Sequence, residues 1–388
     1  MDSLMFNFYR TPKIFFGPGQ RNQLSNLLIP LGSPVLLIHS THSLPNEELI
    51  DTLKKSGIRL FECLSSGEPS PEYIDQIVNK YRDKNIRAVV AIGGGSVIDA
   101  GKAISAMLPL QETVRNFLEV VGNKNHPGEK IPFFALPTTA GTGAEASANA
   151  VLSSPGEKGF KRSIRHENLV PDYAIVDPKL MMNCPDNVTA ACGMDALTQL
   201  LESYVSPRAS EITDSLIEKA LPLIGNNLLK AAGPQRGEIT VRTAMAYAAL
   251  ISGITLSNAG LGVIHGMASA IGGFFPIPHG VVCGTLLAGA TSMNIRKLKE
   301  SDSSNRALTK YNRAGFLLSG ENDDPERGCD LLIKHLNLYT QQLSIPKLSV
   351  FGVGRKDLDK IIKDSSNKNN PVKLNAEEME KLMLERIE

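Results

Sequence analysis

Three side chains in the second half of the sequence, Asp195, His265 and His279, have the makings of a metal site. Asp195 and Gln199 stand at i and i+4 in GMDALTQLLESY, so on a helix both project from one face. His265 and His279 lie in a Gly-rich apolar stretch, GLGVIHGMASAIGGFFPIPHG, that has no other evident need for imidazoles. Neutral imidazole and carboxylate suit iron(II), zinc or manganese, and the Gln199 amide oxygen adds at best a weak further ligand. Two hydrogen-bonded core histidines would read the same way on spacing alone.

A second kind of chemistry is suggested by GGGSVIDAGK, which follows directly on the apolar run RAVVAI and opens a helical pattern. There a Gly-rich turn, Gly93, Gly94 and Gly95, can bring backbone amides up to a diphosphate. Ser96 is expected to cap the helix, with Asp99 at its N3 position. The GxGxxG fingerprint fails, because Ile98 stands where a third glycine belongs, and a phosphate-loop motif fails because Ala103 follows Lys102. A tight turn with no ligand is the competing reading. The loop ALPTTAGTGAEAS again leads from an apolar strand into an expected helix, and Thr138, Thr139, Gly141, Thr142 and Gly143 add amides and hydroxyls. Two such turns at the carboxyl ends of strands suit a dinucleotide, one at the diphosphate and one nearer the nicotinamide.

These residues need a scaffold, and the first half supplies a pattern for one. PVLLIHS, IRLFECL, RAVVAIGGG and IPFFALPTT read as strands, while PNEELIDTLKKSG, SPEYIDQIVNKYRDKN and VIDAGKAISAML read as the helices between them. The alternation predicts a doubly wound parallel α/β sheet over residues 1–183. Beyond Pro185 helical periodicity takes over, which predicts an all-α domain over residues 184–388. SDSSN and ENDDPERG are expected surface turns, and Asn375 with Glu378 has the form of a capping box before MEKLMLERI. A cleft between two such domains is the expected place for a ligand.

Composition narrows the partners. With 41 basic against 40 acidic side chains there is no electrostatic footprint for nucleic acid or an anionic membrane. Residues 244–275 are nearly free of charge, yet Asn258, His265, serines and glycines argue for buried helices lining a cleft over a membrane span. Cys63, Cys184, Cys192, Cys283 and Cys329 are scattered with no CxxC pair, which fits reduced thiols in the cytoplasm and neither a disulfide framework nor a cysteine zinc site. The opening MDSLMFNFYRTPKIFFGPGQ shows no secretory or transit pattern.

GGGSVIDAGK, LPTTAGTGAEAS, PDYAIVDPKL, GMDALTQLLESY and HGMASAIGGFFPIPHG, in this order, resemble the iron-containing, or group III, alcohol dehydrogenases. The likeness runs from TPKIFFGPGQ to NNPVKLNAEEMEKL. It implies NAD or NADP as cofactor, a divalent metal, Fe(II) or Zn(II), an alcohol or aldehyde substrate, and a homodimer. In that family an aspartate and three histidines hold the metal; Asp195, His265 and His279 match three of them, and Gln199 stands where the fourth is a histidine. The similar glycerol dehydrogenases keep three protein ligands and zinc. Ser269 replaces a histidine associated with proton transfer, so a relay must be remade by Ser269, water or the cofactor ribose. Ser40, in His39-Ser40-Thr41, occupies the place of an aspartate that binds the ribose 2′-hydroxyl in NAD-preferring relatives, and its neutrality favours NADP. Lys161 matches a family lysine near the cofactor, with a solvated surface lysine as the alternative.

The implied reaction is hydride transfer between nicotinamide C4 and an alcohol or aldehyde carbon polarised by the metal at Asp195, His265 and His279. The similar two-domain plan of dehydroquinate synthase offers an alternative, an NAD- and zinc-dependent lyase. A non-catalytic dinucleotide-binding protein offers another, since Gln199 and Ser269 lack the histidines of relatives.

Overall fold

In the computed structural model, which describes residues 5–40, 47–321 and 327–388, the apolar runs of the first half become one parallel sheet. Thr41 and residues 322–326 of the ENDDPERG turn lie outside the described residues. The elements are β1 (Lys13–Phe16), α1 (Leu24–Leu28), β2 (Val35–His39), α2 (Glu47–Lys55), β3 (Leu60–Leu64), α3 (Pro71–Tyr81), β4 (Ala88–Gly93), α4 (Gly95–Met107) and β5 (Phe133–Pro137). β6 (Asn149–Ser154), β7 (Phe160–Arg165) and β8 (Tyr173–Val176) follow. β2 and β4 are buried at every position. That is the pattern of a sheet covered on both faces, and it explains why these strands read as continuous aliphatic runs. Leu24 and Leu28 of α1 and Leu49 and Leu53 of α2 pack on Val35, Leu37, Val90, Ile92, Phe134 and Leu136.

The strand order is β1-β8-β5-β4-β2-β3, so the chain winds outward from β2 to β3 and then returns to the other side of β2 with β4. The reversal lies between β2 and β4. In open α/β sheets the crevice at such a reversal, at the carboxyl ends of the strands, is where ligands bind. Here those ends carry Ser40 after β2 and Gly93 to Ser96 after β4, and the register that pairs His39 with Ile92 sets Ser40 beside Gly93.

The loop after β5 differs from expectation. In place of a helix it makes a single turn at Ala144–Ala146 and then the two-stranded sheet of β6 and β7. The fully buried Lys102 of α4 explains the difference, because its ammonium donates to the carbonyls of Ala144 (2.8 Å), Ser147 (2.8 Å) and Asn149 (2.7 Å). Carbonyls gathered on one ammonium are unavailable for a helical ladder. Ser96 is also not the cap. α4 begins after an extended Gly94, with no side-chain cap, which puts Ser96 inside the first turn and Asp99 beyond N3.

Beyond Pro185 the chain is helical among the described residues: α5 (Asp186–Val205), α6 (Glu211–Ala231), α7 (Ile239–Ala259), α8 (Val263–Phe274), α9 (His279–Ser301), α10 (Arg306–Ser319), α11 (Gly328–Gln342), α12 (Leu358–Asp364) and α13 (Ala376–Leu384). Contacts divide the molecule into an α/β unit, Arg10–Ser154 with Lys161–Cys184, and a helical unit from Pro185 onward that also takes Pro155–Phe160 and the segment ending at Tyr9. α5 is buried along nearly its whole length and packs against α6, α7, α9 and α10. α7 is long and apolar enough to cross a membrane, but most of it is buried within its unit against α5 and α6. An all-round apolar helix of this kind is a core helix. The expected capping box at α13 is present, with Asn375 and Glu378 each accepting the other's backbone N–H.

Candidate functional site

Asp195, Gln199 and Glu202 form one stripe on α5, at i, i+4 and i+7. His265 stands in the first turn of α8, and His279 opens α9. The approach of α9 to α5 depends on two glycines. A Cβ on Gly280 would lie 2.1 Å from the Ala191 carbonyl oxygen, and one on Gly284 would lie 2.8 Å from Met194 Cβ. Their bare faces let the helices nearly touch. The neighbouring stripe, His279 and Cys283, is thereby brought to Asp195.

The three residues singled out from spacing converge. His265 Nε2 is 3.3 Å and His279 Nε2 3.7 Å from Asp195 Oδ1. Asp195 is almost fully buried, and its Oδ1 accepts no well-formed hydrogen bond. Leaving a buried carboxylate oxygen in that state is costly unless a cation completes it. Gln199 is turned to α7, where its Oε1 accepts from the Ser252 hydroxyl at 2.7 Å.

Glu202, which spacing did not single out, organises the centre. Its Oε1 accepts the Ile264 backbone N–H at 2.7 Å, capping α8, and its Oε2 lies 2.6 Å from His265 Nδ1. With Nδ1 held by that carboxylate, Nε2 is the ring nitrogen turned to Asp195. The signal available in the sequence is a second carboxylate seven residues after Asp195, on the same face of the expected helix. Replacing Glu202 by glutamine is expected to weaken metal binding about 10–100-fold. Competition against a chelating dye measures this, and an unchanged affinity would deny Glu202 the orienting role.

The electrostatics point the same way. Burial would raise the Asp195 carboxyl, but His279 and His265 outweigh it and hold the group below its ordinary value. Burial likewise opposes a charged His265, yet Cys283, Asp195 and Glu202 together push its pKa well above the ordinary histidine value. Burial also pushes the Cys283 thiol up to about 12. A centre of oxygen, nitrogen and sulfur donors that draws positive charge to itself suits a divalent cation, which supplies that charge more fully than an imidazole proton does.

In the α/β unit the two glycine turns meet. Thr138 N–H donates to the Gly93 carbonyl at 2.9 Å, and a Cβ on Gly94 would touch Thr139 Cγ2 at 3.4 Å. A Cβ on Gly95 would lie only 2.5 Å from Thr142 Oγ1. The N-terminus of α4 carries no side-chain cap and no acidic residue in its first turn. Its first-turn amides and dipole could therefore hold an anion such as a diphosphate. Two expected cofactor residues, Asp99 and Lys161, also have protein partners. Asp99 Oδ2 accepts the Val151 N–H at 3.2 Å and Oδ1 lies 3.9 Å from Lys102 Nζ; burial raises its carboxyl and lowers the lysine. Lys161 is buried and paired with Glu68, so it is not the solvated surface lysine of the alternative reading.

Family models match most of the chain. Residues 11–178 match the family described as iron-containing alcohol dehydrogenase, and residues 189–387 match the C-terminal part of the Fe-containing alcohol dehydrogenase family. The chain is 29% identical over 371 residues to the NAD-dependent methanol dehydrogenase of Bacillus methanolicus, covering 93% of each chain. It is 29% identical over 397 residues to the NADPH-dependent butanol dehydrogenase of Clostridium saccharobutylicum, covering 97% of each. Among solved structures, an alcohol dehydrogenase from Oenococcus oeni superposes with a TM-score of 0.85 at 27% identity, over 98% of this chain and 100% of that one.

Proposed function

From the premise that the chain belongs to the iron-containing alcohol dehydrogenases, and is accordingly an NAD(P)-linked alcohol oxidoreductase with a divalent metal, we propose that Asp195, His265 and His279 are its metal ligands. The observation that carries this is the approach of both Nε2 atoms to one buried carboxylate oxygen. When bound, the metal, Fe(II) or Zn(II), supplies Lewis acidity at the substrate oxygen, and the dinucleotide supplies or accepts the hydride. Asp195 and the two imidazoles hold the cation, Glu202 fixes the His265 ring, and Gln199 is a weak candidate ligand.

On this reading residues 1–183 bind the dinucleotide and residues 184–388 bind metal and substrate. Gly93, Gly94, Gly95 and Ser96 receive the diphosphate, while Thr138, Thr139 and Thr142 line the second turn. Asp99 and Lys161 support this region through Lys102, Val151 and Glu68. Ser40 carries no charge that would repel a 2′-phosphate, which supports NADP over NAD. Ser269, four residues after His265 on α8 and partly exposed, is the candidate on this chain for proton transfer, with water or the cofactor ribose as the alternatives. A reduced cytoplasm agrees with five cysteines that form no disulfide among the described residues, and a homodimer agrees with β1 at the sheet edge. The lyase alternative is not favoured, since the relatives are alcohol dehydrogenases.

Oxidation of NADPH and NADH by short aldehydes, with the metal-loaded protein, tests this reading. Turnover is expected with NADPH preferred, and Ser40→Asp is expected to shift the ratio of kcat/KM values about 10-fold or more towards NADH. Equal use of both cofactors by both proteins would remove Ser40 from the site.

A further inference from the structure

The fourth neighbour of both imidazoles is a thiol. Cys283 Sγ lies 3.7 Å from His265 Nε2 and 3.7 Å from His279 Nε2. With Asp195 Oδ1 these make four donor atoms, all within 4.8 Å of one another. We propose that Cys283 is itself a ligand, so that this chain grips its metal with Asp195, His265, His279 and a Cys283 thiolate, and that the thiolate turns the site towards zinc. The inference rests on the metal reading of the centre.

Geometry carries it. A tetrahedral zinc with bonds of about 2.0–2.1 Å to nitrogen and oxygen and about 2.3 Å to sulfur has edges of about 3.3 Å between N and O and about 3.5 Å between N and S. The edges in this protein are 3.3 and 3.7 Å for N and O, and 3.7 Å twice for N and S. A thiol has one hydrogen to donate, so at most one of the two equal contacts is an S–H donation, and a shared ion accounts for both together with Asp195 Oδ1. Asp195 Oδ1, buried without a well-formed hydrogen bond, faces the same point.

The helices account for the substitution. Gln199 on α5 has its carbonyl oxygen engaged by Ser252, while Cys283 follows His279 by four residues and shares its face of α9. The fourth ligand thus comes from α9 instead of α5. The scattered cysteines gave no reason to expect a thiolate ligand, because only one of the five reaches the centre and its partners are imidazoles and a carboxylate. A thiolate is a softer donor than imidazole and favours zinc over iron(II). On coordination the thiol proton passes to solvent, and the two anionic ligands offset the charge of the cation.

X-ray absorption at the zinc edge, on the full chain loaded with one equivalent of zinc, decides the matter. One sulfur at about 2.3 Å is expected beside nitrogen and oxygen at about 2.0–2.1 Å. In Cys283→Ser the sulfur should vanish and zinc affinity fall about 10²-fold, with a smaller fall for iron(II). Bound zinc surrounded only by nitrogen and oxygen in the unsubstituted protein overturns the thiolate assignment alone. A folded protein that takes up no zinc and no iron(II) overturns the metal reading along with it.

Discussion

Replacing His265 or His279 by alanine is expected to strip the protein of metal and lower turnover about 10³-fold or more, equivalent to about 4 kcal/mol of transition-state stabilisation. Each substitution removes one of the nitrogens beside Asp195 Oδ1, which is buried beyond the reach of solvent. The His265 change also leaves the Glu202 carboxylate with only backbone donors. It should therefore cost more stability than the His279 change, whose ring is a quarter exposed. Emission spectrometry for bound metal, beside a turnover assay, measures the effect. Dinucleotide binding should survive in both variants, because the cradle is built from other residues, and this separates metal loss from unfolding. Full metal content and full activity in both variants would refute the assignment.

The second large effect is expected at Gly95. A Gly95→Asp side chain has no room beside Thr142, where even a Cβ would lie 2.5 Å from the hydroxyl oxygen. It also brings a negative charge to the first turn of α4, where the amides now face outward for an anion. Steric and electrostatic effects act in the same direction, so dinucleotide affinity should fall at least about 10²-fold. Fluorescence titration with NADPH reads this directly. Metal content should not change. Unaltered affinity would place the diphosphate away from this turn.

Much of the arrangement was legible because it is written in local patterns. Aliphatic runs ending in Gly93 and Pro137 announce buried strands, and the small residues after them announce tight turns. The i, i+4 spacing of Asp195 and Gln199 places both on one face of α5. What stayed hidden depends on long-range contact. Nothing near Ala144 in the sequence reveals that Lys102 will collect its carbonyl and replace a helix with a turn. Nothing near Gly94 reveals that an extended glycine, and not Ser96, will start α4. The roles of Glu202 and Cys283 emerge only when α8 and α9 are packed on α5, since each acts on a histidine from another helix or along a face defined by that packing.

On the proposed assignment one cation is held by Asp195, His265 and His279. Anomalous diffraction at the metal edge, from crystals grown of protein purified without chelator, tests it most directly. A single anomalous peak is predicted about 2.0–2.2 Å from Asp195 Oδ1, His265 Nε2 and His279 Nε2. Crystals without such a peak after loading with zinc or iron(II), or with the peak bound by other residues, would rule out this ligand set.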